Sequence, residues 1–101
     1  MRQPHFSVLA AAIAVLLSWP VQAAEKTVVL TVKNADCALC APIVKRTLSR
    51  VEGVKAVQVA EANANSDAMA TVTYDDSVAN VSVLIAATTK AGYPAQVANA
   101  N

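Results

Sequence analysis

Cys37 and Cys40 are the only cysteines of the chain, and they stand three residues apart as Cys37-Ala38-Leu39-Cys40. Such a pair can do four kinds of chemistry. A structural zinc site usually wants four ligands from cysteine and histidine, but the chain adds only His5, far away near its start. A structural disulfide suits an exported protein, yet one closing so short a loop would staple little. A thioredoxin-like redox centre also puts C-x-x-C at a helix start, but its usual tryptophan and Gly-Pro surroundings are absent here. The fourth is a two-thiolate site for a soft ion that accepts low coordination, Hg(II) or Cu(I). The residue types favour this last chemistry, with Cys37 and Cys40 as the metal ligands.

The ligand form is the thiolate, whereas a free cysteine titrates near ~8.5. Something must therefore favour negative sulfur, and the N-terminal end of a helix does so through unpaired N–H groups and the helix dipole. The pattern after the pair supplies that helix. From about Leu39 to Val51, Ile43, Val44, Thr47, Leu48 and Val51 share one face, and Lys45, Arg46, Ser49 and Arg50 share the other. Asp36 is the candidate N-cap, although its charge beside Cys37 weakly opposes a second anion. Pro42 is tolerated in the first turn, and Gly53 suits the C-terminal cap.

Around this helix the periodicity changes to two. Lys26 to Lys33 alternates Val28, Leu30 and Val32 with Thr27, Val29 and Thr31, as a half-buried strand does. Val54 to Ala60 and Ala68 to Tyr74 read as two further strands, joined by the polar turn Glu61 to Asp67. Asp75-Asp76-Ser77 opens a second helix, roughly Asn80 to Ala91, with Val81, Leu84, Ile85, Thr88 and Ala91 as its apolar stripe and Gly92 closing it. Tyr93 to Val97 is a short last strand, where Pro94 is acceptable at an edge. The order βαββαβ predicts an α+β, ferredoxin-like sandwich: one four-stranded antiparallel sheet with both helices on one face.

The first 23 residues belong to a different regime. Arg2, the uncharged run Val8 to Leu17 and the small residues of Val21-Gln22-Ala23 have the layout of a secretory signal peptide, cleaved after Ala23. The apolar run is about half the roughly 20 residues a spanning helix needs, so no membrane insertion is expected once it is cleaved. This assigns 1–23 to a leader, 24–101 to one small domain, and the product to the periplasm. Of 8 Lys and Arg, only Arg2 leaves with the leader, so the domain balances 7 cations against 7 Asp and Glu. His5, Phe6 and Trp19 leave too. A neutral domain without Trp or Phe offers neither the charge nor the stacking platform that nucleic acid requires.

From Thr27 to Val97 the chain resembles heavy-metal-associated domains, and within that family the periplasmic mercury-binding members. The segments that carry the likeness are CALCAPIVKRTLSRVEGVKAVQV (37–59), ATVTYDDSVANV (70–81) and AGYPAQV (91–97). The resemblance implies a non-enzymatic, monomeric carrier whose cargo is Hg(II), with Cu(I) as the alternative. It also implies delivery to an inner-membrane mercury transporter. The family's usual Gly-Met-Thr before the first cysteine is here Asn34-Ala35-Asp36, and Leu39 is expected to replace part of the methionine's anchoring role. The usual proline is displaced to Pro42, and the hairpin over Ala60–Asp67 is about four residues longer than usual.

Three supporting features have two readings each. Tyr93 either shields the metal loop or is a core aromatic. Met69 is expected to fill the core rather than to act as a thioether ligand. Lys45, Arg46 and Arg50 form either a solvated face or a docking patch for the transporter. A thiol–disulfide oxidoreductase is the enzymatic rival to the carrier.

Overall fold

A computed structural model describes residues 24–98. The leader expected over Met1–Ala23 lies outside the described residues, as do 99–101. Six elements follow one another: β1 (Glu25–Val32), α1 (Cys40–Ser49), β2 (Val54–Ala60), β3 (Ala68–Asp75), α2 (Val81–Lys90) and β4 (Ala95–Val97). The strands form one sheet in the order β2-β3-β1-β4, and every neighbouring pair is antiparallel. This is the ferredoxin-like arrangement that the alternation of periods predicts.

The alternation in β1 and β3 explains why both helices share one face. Val28, Leu30 and Val32 are buried, and so are their partners across the ladder, Val72, Ala70 and Ala68. The intervening residues of both strands, from Val29 to Thr73, are only half-buried and form the open face. Leu30 faces Ala70 and Val32 faces Ala68, so large and small side chains alternate across the strands. Into that relief pack Val44 and Leu48 of α1 and Leu84 of α2, all fully buried. Each buried leucine contributes about 2 kcal/mol of transfer free energy.

The helix ends differ from the sequence reading. α1 begins at Cys40 with Leu39 as its N-cap residue, and no side chain caps it. Asp36 is three residues too early to reach the free N–H groups, so it is not the cap. The first turn is satisfied otherwise: the Cys40 N–H donates to the Cys37 carbonyl at 3.0 Å, and Pro42 has no N–H to satisfy. α2 does have a side-chain cap, Asn80, whose Oδ1 accepts from the Val83 N–H at 2.9 Å. The Asp75-Asp76-Ser77 stretch is a turn before it. There the Asp75 carboxylate accepts from the Ser77 hydroxyl and N–H, and those two bonds hold it below its ordinary carboxylate range.

Two side chains expected in the core are elsewhere. Ile43 is 42% exposed, because the inward positions of α1 are Cys40, Ala41, Val44 and Leu48. Met69 is half-buried on the open face of the sheet, where the Thr31 hydroxyl points at its sulfur at 3.7 Å. It neither fills the core nor faces the side on which Cys40 is buried. Among the described residues no helix is long and apolar enough to cross a membrane.

Candidate metal centre

Three connections meet at one end of the sheet, because Val32 at the end of β1 pairs with Ala68 at the start of β3 and Ala95 at the start of β4. They are the cysteine loop 33–39, the β2–β3 hairpin 61–67 and the α2–β4 turn 91–94. Hydrogen bonds tie them together. The Lys33 N–H donates to the Pro94 carbonyl at 2.7 Å, and Asn34 Nδ2 donates to the Gly92 carbonyl at 3.4 Å. Lys33 Nζ meets Asp67 Oδ2 at 2.8 Å, which fastens the hairpin to the root of the loop. Both partners are substantially solvated, so this pair adds under about 1 kcal/mol. The longer hairpin is ordered by its own turn: Asn63 Oδ1 accepts from the Asn65 N–H and the Ser66 hydroxyl, and Ala62 packs against the core.

Within the loop, Asn34 has φ +67°. Asparagine is among the few side chains that visit this left-handed region readily, so the chain turns here without a glycine. Ala35 is buried at 3% exposure and is the loop residue that anchors to the core. Leu39 does not replace the missing methionine, for it is 69% exposed. Its position just before Cys40 turns it about 100° away from the buried face of α1.

The two cysteines sit very differently. Cys37 is exposed in the loop, whereas Cys40 opens α1 and is 4% exposed. Their Cα atoms are 5.1 Å apart and their sulfurs are joined as a disulfide. The Cys37 N–H points at Cys40 Sγ at 3.2 Å, a donor placed to hold negative charge on that sulfur. Cys40 Sγ also lies 3.9 Å from the Asn34 carbonyl oxygen; in the disulfide this is a contact, since the sulfur has no proton to donate. Among the described residues no group of three or more His, Cys, Asp or Glu comes together. The loop therefore brings two sulfurs together, where a structural zinc site usually takes four ligands and a soft ion of low coordination number can take two.

Tyr93 is half-buried against the core between Gly92 and Pro94, the two residues whose carbonyls bond to the cysteine loop. Its N–H closes the turn onto the Thr88 carbonyl at 2.8 Å. Sequence reasoning did not single out Lys33 and Asp67 as a latch, and nothing short of the strand register brings them together.

The fold and the cysteine pair define a class: a ferredoxin-like domain with a two-cysteine loop at the mouth of its first helix. Residues 29–94 match the heavy-metal-associated domain model, and the chain belongs to that family. It is 46% identical over 89 residues to the mercuric transport protein periplasmic component of Shigella flexneri, covering 88% of each chain. The crystal structure of oxidised MerP from Ralstonia metallidurans CH34 superposes with a TM-score of 0.67 at 39% identity, covering 75% of this chain and all of that one. The mercury-bound form of MerP, the periplasmic protein of a bacterial mercury detoxification system, gives 0.62 at 44% identity, covering 73% and 97%.

Proposed function

We propose that this protein is a periplasmic carrier that takes up Hg(II) on the thiolates of Cys37 and Cys40 and passes it to an inner-membrane mercury transporter. The observation that carries the reading is a pair of convergent sulfurs, one exposed and one buried, at the end of a fold shared with a mercury-bound relative. Two thiolates suit Hg(II) and Cu(I) alike, so the choice of Hg(II) follows the mercuric transport relatives. Residues 1–23 act as the leader that exports the domain, which then works as a monomer and without catalysis.

Loading begins from the reduced pair, because a disulfide offers no thiolate. Cys37 reaches solvent, so its sulfur attacks first and displaces one ligand of the incoming Hg(II) complex, which leaves with its electron pair. Cys40 then displaces the second ligand and closes an S–Hg–S bridge. Each thiol gives its proton to solvent, and nothing is oxidised or reduced. Release proceeds by two further exchanges: one acceptor thiolate adds at mercury on the exposed side and Cys37 leaves, then a second acceptor thiolate displaces Cys40.

The test is a competition titration of the reduced protein with Hg(II), Cu(I) and Zn(II) in excess small-molecule thiol. The expected result is tight 1:1 Hg(II) binding that Cys37→Ser and Cys40→Ser each abolish. Tight binding that survives in the Cys40→Ser form would remove the two-thiolate model, and steady insulin-reduction turnover would move the protein to the oxidoreductases.

A further inference from the structure

The flank of α1 that faces β2 carries charges that metal ligation does not use. Ala41 and Pro42, the two residues directly after Cys40, line an open groove there with Lys45, Gln58, Val59 and Glu61. Its volume is about 520 Å³, inside the size range of small-molecule sites. β2 is an edge strand of the sheet, and Glu61 follows its last residue at the end where the cysteine loop lies. The helix wall of the groove thus holds a cation, Lys45, and the strand wall an anion, Glu61. Both are exposed, and neither takes part in a salt bridge among the described residues. Between them Ala41, Pro42 and Val59 are uncharged, and the Gln58 amide is both donor and acceptor. The groove on the other flank of α1 has Arg46 and Arg50 and no carboxylate. Only the β2 flank therefore presents both signs of charge beside Cys40. A small ligand that satisfies both walls carries an anion for Lys45 and a cation for Glu61, and the head of an α-amino acid carries that pair.

We infer that this groove holds the amino-acid head of the small thiol that brings Hg(II) in, so that the protein loads from the bis-thiolate complex of an α-amino-acid thiol. This rests on the carrier reading above and specifies what the carrier is loaded from. Lys45 takes the carboxylate of one thiol and Glu61 its ammonium, which leaves that thiol's sulfur on the mercury. Cys37 displaces the other thiol first, which departs with its electron pair. The held thiol then remains as the second mercury ligand until the Cys40 thiolate adds and the last mercury–thiol bond breaks. Cys40 gives its proton to solvent, the departing thiolate takes one from solvent, and nothing is oxidised or reduced. Exposed ion pairs of this kind are weak, which suits a ligand that must leave once the metal is transferred.

The experiment follows loading of the reduced protein by stopped-flow absorbance, from Hg(II) bis-complexes of L-cysteine, D-cysteine, 3-mercaptopropionate and cysteamine. The two cysteine enantiomers have identical thiol chemistry, but a head fixed at carboxylate, ammonium and sulfur fits in one hand only. Loading from the L and D complexes is expected to differ by about threefold at low salt, the scale of one solvated ion pair. Lys45→Gln/Glu61→Gln should bring that ratio to unity. The single variants assign the two ends. Lys45→Gln should slow loading from the mercaptopropionate complex, and Glu61→Gln should slow loading from the cysteamine complex. Lys55→Gln, the same charge change at an exposed lysine outside the groove, should do neither. S-methyl-L-cysteine has the same head and no reactive thiol. Titrated into the oxidised protein, it should shift the backbone amide resonances of Ala41, Lys45, Gln58 and Glu61. Equal rates for the enantiomers, a ratio that persists in the double variant, or shifts confined to other surfaces would overturn the proposal. Groove shifts in a protein that takes up no Hg(II) would count against the carrier reading instead and leave the amino-acid site standing.

Discussion

A single dihedral angle decides how the cysteine loop leaves β1. Asn34 sits at φ +67° and its side chain also reaches the Gly92 carbonyl. Replacing it by alanine removes the bond and leaves an ordinary side chain in the left-handed region, at a cost of about 1 kcal/mol. Asn34→Gly loses the same bond but keeps the conformation, so it should cost less than the alanine variant. Urea unfolding of the two variants in the same redox state checks the order, with m-values unchanged. The cysteines themselves were plain in the sequence, because two thiols at this spacing and no histidine in the domain leave few metals to choose from. The difference between them was not. Cys37 and Cys40 look equivalent on paper, and only the start of α1 buries one and leaves the other in solvent.

At the scale of elements, the glycines that end the two helices have the same backbone need and different surroundings. Gly53 has φ +96°, and a Cβ there would sit 3.0 Å from the Val78 side chain and 3.2 Å from that of Ala79. Gly92 has φ +102° with nothing within 4 Å. Gly92→Ala therefore carries backbone strain alone, about 1 kcal/mol, while Gly53→Ala adds a clash and should cost about 2 kcal/mol or more. Thermal and denaturant midpoints would show the ranking; equal losses would mean that Val78 moves aside freely. Strands were the easiest elements to anticipate, since Val28, Leu30 and Val32 alternate with threonines and valines and period two admits no rotation. Helix faces were harder. Ile43 and Val44 both fit an apolar stripe, and which of them points inward depends on how α1 is rolled on the sheet. Packing on β2, β3 and α2 selects Val44 and leaves Ile43 to solvent.

The molecule as a whole has its two cysteines joined, and the MerP of Ralstonia metallidurans CH34 was likewise crystallised oxidised. Hg(II) competes for thiolates, so the oxidised protein should take up no Hg(II) in the presence of small-molecule thiol too weak to reduce it. Treatment with a phosphine reductant, followed by its removal, should restore binding at one ion per chain. Mass spectrometry of the intact protein before and after reduction measures both outcomes. Local order along the chain was enough to specify the strand–helix alternation, the sheet with two helices on one face, and the cysteine pair at a helix mouth. Those features follow from hydrophobic period and from residue chemistry, which act over a few neighbours. Long-range register settled the remainder. It brought Lys33 to Asp67 and Asn34 to Gly92, placed Met69 on the open face, buried Ala35 in the methionine's stead, and turned Leu39 outward beside the metal loop. Each of these depends on residues tens of positions apart or on the roll of a helix against a sheet, and neither is written in a local pattern.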